Sequence, residues 1–312
     1  MERAFVFPGQ GSQAVGMGKA LAEAHPAARE IFEEVDEALS QRLSRLMFEG
    51  PVEELTLTEN AQPALMAVSV AIVRVLQREG GLNLQRAGRF VAGHSLGEYS
   101  ALAAAGALPV AEAARLRKRR GLAMQGAVPV GTGAMAAILG LDLDTVRALA
   151  EEAAEGEVCA VANDNAPGQV VLSGAKAAVD RAVALAQGRK GKAIPLTVSA
   201  PFHCALLKPA ADVMAEALAG VSLTQPHLPL VSNVTATAVD DPDTIRDLLV
   251  EQVTAMVRWR ESVLYMKAQG VEQLVELGAG KVLTAMVRRI DPEMTGASVQ
   301  TPADIEAFAG QL

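Results

Sequence analysis

The segment Arg89-Phe90-Val91-Ala92-Gly93-His94-Ser95-Leu96-Gly97-Glu98 leaves this chain little conformational freedom. A short apolar run ends on glycine, a serine follows two residues later, and a second glycine opens a helical pattern. The G-x-S-x-G spacing between strand and helix describes a sharp turn, where glycines relieve crowding as the backbone folds back. The serine hydroxyl then projects beyond the sheet edge. The first amides of the helix and the positive end of its dipole face the same spot, so a nucleophile and a place for an oxyanion coincide. The same string also fits a serine that only caps a helix between two turn glycines. Its position after a strand favours the nucleophile.

The rest of the chain supplies the sheet such a turn requires. Short apolar runs at Arg3–Phe7, Arg89–Gly93, Leu228–Ser232 and Val271–Leu277 alternate with helical patterns at Ala14–Ala24, Ala27–Phe48, Gln62–Glu79, Leu96–Ala105, Pro109–Gly126, Leu206–Ala219, Thr244–Met256 and Arg258–Gln269. Gly280–Ile290 reads as the last clear helix. Strands alternating with helices predict a parallel, buried sheet. The middle differs. Strands at Ala134–Gly140, Val158–Asn163, Gln169–Ser173 and Lys192–Leu196, with helices at Asp142–Ala154 and Ala175–Gln187, run β-α-β-β-α-β, the split pattern of a ferredoxin-like unit. The alternative keeps these elements in one large sheet. The expected fold is α/β: a hydrolase-like parallel-sheet domain over 1–127 and 199–312, with an inserted ferredoxin-like α+β subdomain over 128–198.

Composition narrows the function. With 28 Lys+Arg against 36 Asp+Glu, the net charge of -8 argues against nucleic-acid binding. Two cysteines, Cys159 and Cys204, make no disulfide framework. Four scattered histidines without HExxH or CxxC argue against a metal site. The first residues lack a signal-peptide pattern and no apolar run reaches the ~18 residues of a membrane span, so a cytoplasmic chain is expected.

A serine nucleophile needs a base. His203, in Val198-Ser199-Ala200-Pro201-Phe202-His203-Cys204, sits between a strand and a helix and is the best of the four histidines; His25, His94 and His227 are poorer, and the side chain of His94 should point away from the turn. The bland reading of a lone histidine, buried or capping, stays open. Cys204 has no base of its own and reads as packing. The turn Phe7-Pro8-Gly9-Gln10-Gly11-Ser12-Gln13-Ala14 matches a dinucleotide fingerprint only weakly, because Glu30–Glu37 falls in a helix instead of ending a second strand. It is better used to donate amides into a neighbouring site. Arg115, Arg117, Lys118, Arg119 and Arg120 share one helix. Most should be solvated, and one can turn inward to grip an anionic substrate with its two-pronged guanidinium.

Taken together, these residues resemble a known family. The turn from Phe7 to Gln13, Thr58-Glu59-Asn60-Ala61-Gln62-Pro63-Ala64-Leu65, the serine turn, Arg120-Gly121-Leu122-Ala123-Met124-Gln125, Asn163 with Pro167-Gly168-Gln169 and Ser173-Gly174, Pro201 to Ala210, and Glu276-Leu277-Gly278-Ala279-Gly280-Lys281-Val282-Leu283 occur in one order along nearly the whole chain. This set is similar to the malonyl-CoA:acyl carrier protein transacylases of type II fatty acid synthesis. The resemblance implies Ser95 as the acylated nucleophile and His203 as its base and acid. Arg120 would hold the malonyl carboxylate, and the backbone amides of Gln10 and Leu96 the oxyanion. The carbonyl of Gln252 would orient the histidine, and Gln62, Asn163 and Phe202 would line the pocket. It implies malonyl-CoA and an acyl carrier protein as partners, no metal or redox cofactor, and a monomer.

Phe202 departs from the serine that many members carry before the histidine. A bulky ring leaves less room for a methyl branch, an effect of only ~1–3 kcal/mol. Two basic clusters, Arg189-Lys190 with Lys192 and Arg288-Arg289, are candidates to steer an acidic carrier, or are ordinary solvated surface. A serine thioesterase or hydrolase, a non-catalytic carrier-binding module, and a discrete acyltransferase serving a polyketide synthase remain as rivals.

Overall fold

The computed structural model describes residues 1–312. Ten strands form, in chain order: β1 (Arg3–Phe7), β2 (Phe90–Gly93), β3 (Gly133–Leu139), β4 (Cys159–Ala166), β5 (Gln169–Ala175), β6 (Lys192–Pro195), β7 (Leu230–Val231), β8 (Ala238–Val239), β9 (Gln273–Leu277) and β10 (Thr295–Val299). They make two sheets. The larger has the order β10-β9-β1-β2-β7-β8, parallel except for β8, which returns antiparallel on β7.

Alternation along β1 shows why this sheet is buried on both faces. Phe5 and Phe7 point into the main core, with Val91, Val275 and the helix Thr58–Arg78. Ala4 and Val6 point the other way, against Trp259, Val263 and Val287. Parallel strands covered on both sides carry near-continuous apolar sequence, as Ala4–Phe7 does.

The second sheet is antiparallel throughout, in the order β4-β5-β3-β6. Helices Leu143–Ala154 and Lys176–Gly188 close a small core of its own, with Ile138, Val146, Leu149, Leu172 and Val179. This is the expected ferredoxin-like arrangement. It is joined to the larger sheet's layer along β4: the Asp164 amide donates to the Val257 carbonyl at 3.0 Å, and Val257 donates back to Ala162 at 2.8 Å. The buried Asp164 carboxylate also meets the Arg260 guanidinium at 2.8 Å.

Several element limits differ from the sequence reading. The stretch read as helix over Ala14–Ala24 is helical only from Lys19, because Gly16 and Gly18 turn the backbone through positive φ. Ala27–Phe48 breaks into Pro26–Leu39 and Leu43–Glu49. Ser40 adopts φ 48°, and the Asp36 carboxylate takes the amide and hydroxyl of Ser44. Beyond Ile290 the chain adds edge strand β10 and a final helix, Pro302–Ala309, capped by Thr301 and Asp304 in a reciprocal box. Thr244–Met256 is helical only over Pro242–Glu251, and its early end matters for the site.

Candidate active site

Ser95 sits on the turn after β2, at φ 51°. A non-glycine residue there carries strain on the order of 1–3 kcal/mol, held in place by its surroundings. Both flanking glycines are sterically required. A Cβ on Gly93 would lie 1.9 Å from the Gly97 carbonyl carbon, and one on Gly97 would lie 2.3 Å from the Phe7 carbonyl oxygen. The turn is therefore wedged between β1 and its own helix, Gly97–Ala104.

Asn233, in the loop after β7, clamps the turn from the other side. Its side-chain oxygen accepts from the Ser95 amide at 2.7 Å and its NH₂ donates to the Gly93 carbonyl at 2.7 Å. The Ser95 amide is thus occupied. The amides of Gln10 and Leu96 donate to no protein acceptor, and both residues line the cavity beside Ser95. Two free N–H groups beside a hydroxyl make a place for an oxyanion.

His203 stands at φ 58° in the loop before helix Lys208–Ala219. Its Nε2 lies 2.7 Å from Ser95 Oγ, and its Nδ1 lies 2.9 Å from the Gln252 carbonyl oxygen. A carbonyl only accepts, so Nδ1 carries the proton and Nε2 offers its lone pair to the serine. The helix Pro242–Glu251 stops one residue before Gln252, which leaves that carbonyl free for the imidazole. Burial and the nearby Arg120 charge lower the His203 pKa from its ordinary 6.5 to about 3. The imidazole is therefore neutral, with its Nε2 lone pair facing the serine.

Two residues of the basic helix turn inward, where the sequence reading allowed for one. Arg117 and Arg120 are both buried. Gly121 makes this possible: a Cβ there would lie 2.5 Å from Glu59 Cα, so the helix Val110–Gly126 packs backbone-close on Thr58–Arg78. Arg120 Nη1 donates to Gln62 Oε1 at 2.9 Å, while Nη2 donates to Gln252 Oε1 at 2.9 Å and to Ser95 Oγ at 3.2 Å. Arg117 donates to the Gln62 carbonyl at 2.6 Å and lies with Arg120 over the Tyr99 ring. The other charges stay outside: Lys118 pairs with Glu59, Arg115 with Glu112 and Arg119 with Glu216.

A cavity of about 360 Å³ opens in front of Ser95. Gln62, Arg120 and Met124 line one side, Met135, Asn163, Asn165 and Val171 another, with Phe202 and His203 beside the turn. His94 also lines this cavity. Its Nε2 meets Asn165 Oδ1 at 2.8 Å, and its ring packs on Trp259. Burial lowers its pKa too. A second, more open cleft between β3–β5 and the helix Val282–Ile290 shares Asn165 and Val171 with the cavity; Lys281 and Arg289 line it.

Cys204 is buried, its thiol 3.2 Å from the Pro201 carbonyl, and burial raises its pKa. Asp180 pairs with Lys176 and Asp164 with Arg260, so neither of these carboxylates of the insert meets His203. No group of three His, Cys, Asp or Glu side chains is placed to hold a metal ion. No helix is long and apolar enough to cross a membrane. Sequence reasoning missed Glu98, Asn233 and Asn165. Glu98 lies within the quoted serine motif, but nothing in the string says that its carboxylate turns inward; Asn233 and Asn165 carry no local signal.

Fold and site together define a serine–histidine protein of the α/β type, with a buried arginine at the nucleophile and no aspartate behind the histidine. The chain matches the acyl transferase domain family over residues 4–303. It is 50% identical over 305 residues to the malonyl CoA-acyl carrier protein transacylase of Escherichia coli K12, covering 97% of each chain. Its structure matches an acyl-carrier-protein S-malonyltransferase of Bartonella henselae with a TM-score of 0.97 and 52% identity, over 100% of this chain and 99% of that one. It also matches a malonyl-transacylase solved with a type II polyketide acyl carrier protein, with a TM-score of 0.96 and 44% identity over 100% of both chains. The chain belongs to the acyl transferase family and, within it, to the malonyl CoA-acyl carrier protein transacylases.

Proposed function

We propose that this acyltransferase moves the malonyl group of malonyl-CoA to the phosphopantetheine thiol of an acyl carrier protein, through a malonyl ester on Ser95. The observation that carries this reading is the placement of Arg120 Nη2 3.2 Å from the same oxygen that meets His203 at 2.7 Å. A guanidinium so close to the nucleophile suits an acyl group with a carboxylate two carbons beyond its reacting carbonyl, where a fork of N–H donors can grip both oxygens.

The first half-reaction follows from the geometry. His203 Nε2 takes the Ser95 proton as Oγ adds to the thioester carbonyl. The Gln10 and Leu96 amides stabilise the oxyanion. Collapse breaks the C–S bond, and the imidazolium returns the proton to the departing CoA thiolate. In the second half a carrier thiol gives its proton to His203 and attacks the ester, and Ser95 leaves with that proton. The Gln252 carbonyl holds the tautomer throughout; being neutral, it orients the ring without an aspartate. The residues present do this by acid–base and electrostatic means, and the reading assigns no resident cofactor.

In this reading the body, 1–127 and 199–312, carries the reacting groups, and the insert, 128–198, walls the acyl cavity through Met135, Asn163 and Val171. Phe202 narrows the space beside the histidine. Arg288 and Arg289, with Lys281 at the adjoining cleft, steer an acidic carrier in this reading. Transfer takes place in the cytoplasm, by a monomer. The test is acceptor dependence: CoA release from malonyl-CoA should continue past one equivalent only when carrier is present. Sustained release without carrier would instead mark a hydrolase.

A further inference from the structure

Glu98 takes no part in the mechanism above, yet it is a buried carboxylate at the centre of the site. It lies in the first turn of the helix that begins at Gly97. Both oxygens accept from N–H groups on other loops. Oε1 takes the Asn233 amide at 2.5 Å, and Oε2 takes the Gln252 side-chain NH₂ at 2.5 Å. That same NH₂ donates to the Ser95 carbonyl at 2.9 Å, while Gln252 Oε1 accepts from Arg120. The orientation of the Gln252 amide is therefore forced: nitrogen toward Glu98 and Ser95, oxygen toward Arg120. Reversed, it would set NH₂ against a guanidinium and an oxygen against a carboxylate.

Apart from Ser95 itself, Gln252 is thus the residue that touches both working side chains, His203 through its backbone carbonyl and Arg120 through its side chain. Glu98 is the one carboxylate that holds it. We infer that Glu98 is a positioning residue for acyl selectivity: through the Gln252 amide it fixes the Arg120 guanidinium in the carboxylate-reading pose, and through Asn233 it fixes the serine turn. The charge also matters. Arg120, held in this pose, offers its positive charge to a carboxylate on the substrate. Acetyl brings no such group.

This inference rests on the malonyl-transfer reading. Glu98→Gln keeps the size but must keep its oxygen toward the fixed Asn233 backbone amide, which sets its NH₂ against the Gln252 NH₂ and turns the Gln252 amide away from Arg120. The malonyl/acetyl ratio of kcat/KM should fall roughly 10- to 100-fold, the weight of a hydrogen bond to a charged group. The malonyl KM should rise more than kcat falls. Glu98→Asp, which keeps the carboxyl group, should recover part of the ratio, and it serves as the test if Glu98→Gln does not fold. Gln252→Ala cuts the link while leaving the backbone carbonyl, so adding Glu98→Gln to it should cost no further selectivity. An unchanged ratio in a folded Glu98→Gln protein, or effects of Glu98→Gln and Gln252→Ala that multiply, would overturn the inference. Malonylation of wild-type Ser95, followed by mass, reports separately on the underlying reading.

Discussion

The two sheets of this protein border the same cavity but bring different things to it. The parallel body supplies every group that meets the serine oxygen, and it holds them with overlapping constraints. Ser95 and His203 both keep positive φ, at 51° and 58°, and Gly93 and Gly97 leave no room for a Cβ. The Gln252 and Asn233 side chains are bonded at both ends. The antiparallel insert supplies Met135, Asn163 and Val171 as walls, and its edge strand β6 is largely exposed. The strained, heavily bonded region is where the chemistry lies, and the relaxed region shapes what fits. If that division is right, changes in the body should abolish or redirect transfer, and changes at the junction should cost stability first.

The largest effect belongs to the nucleophile. Ser95→Ala should lower malonyl transfer by at least about 10⁴-fold, as removal of a nucleophile does elsewhere, with the melting temperature little changed; residual transfer near wild-type level would break the division at once. Next is Arg120→Ala. The malonyl/acetyl ratio of kcat/KM should fall roughly 30- to 1,000-fold, as for a buried charge left without its partner, and an unchanged ratio would move carboxylate recognition elsewhere.

The pH profile comes third. An ordinary histidine, at 6.5, would lose about tenfold in rate one unit below that value. With His203 held near 3 by burial and Arg120, kcat/KM should instead stay nearly flat through that range. Stability moves oppositely. The unfolded histidine binds a proton below 6.5 and the folded one only near 3, so this group's contribution is constant above 6.5 and is lost as pH falls toward 3. A titration of kcat/KM centred at the ordinary value would contradict the buried neutral base.

At the junction, Arg260→Ala leaves the buried Asp164 carboxylate unpaired. Stability should drop by about 1–3 kcal/mol, read from denaturant midpoints, while the malonyl/acetyl ratio stays put. A selectivity change as large as that of Arg120→Ala would show that the insert does more than wall the cavity. The smallest effect is at the surface. Reversing Arg288 and Arg289 to Glu should raise carrier KM roughly 2- to 5-fold at low salt and vanish at high salt, since exposed charges steer and are screened. No change at low salt would leave these arginines as ordinary surface.

What could be read from the sequence follows the same line between local and long-range constraint. Strand, glycine, serine and glycine state the turn locally, and the split order of the middle segment states the insert. The end of the helix before Gln252 could not be read that way, because it depends on an imidazole 49 residues away in sequence. The burial of Arg117 beside Arg120 depends on how closely Gly121 lets two helices approach. Glu98 looks, in sequence, like any acidic residue of a first helical turn; only the fold brings Asn233 and Gln252 to it. The final helix has a local start signal, Thr301-Pro302-Ala303-Asp304, that the sequence reading passed over when it ended at Ile290.

The central claim is that one oxygen carries the acyl group and Arg120 selects it. The direct measurement is the intact and peptide mass of the protein after mixing with equal malonyl-CoA and acetyl-CoA, for wild type and Arg120→Ala. Wild type should carry a single malonyl group, on the peptide containing Ser95, and Arg120→Ala should carry mainly acetyl at the same residue. An adduct on Cys204 or His203 instead, or a malonyl preference that survives loss of Arg120, would contradict it.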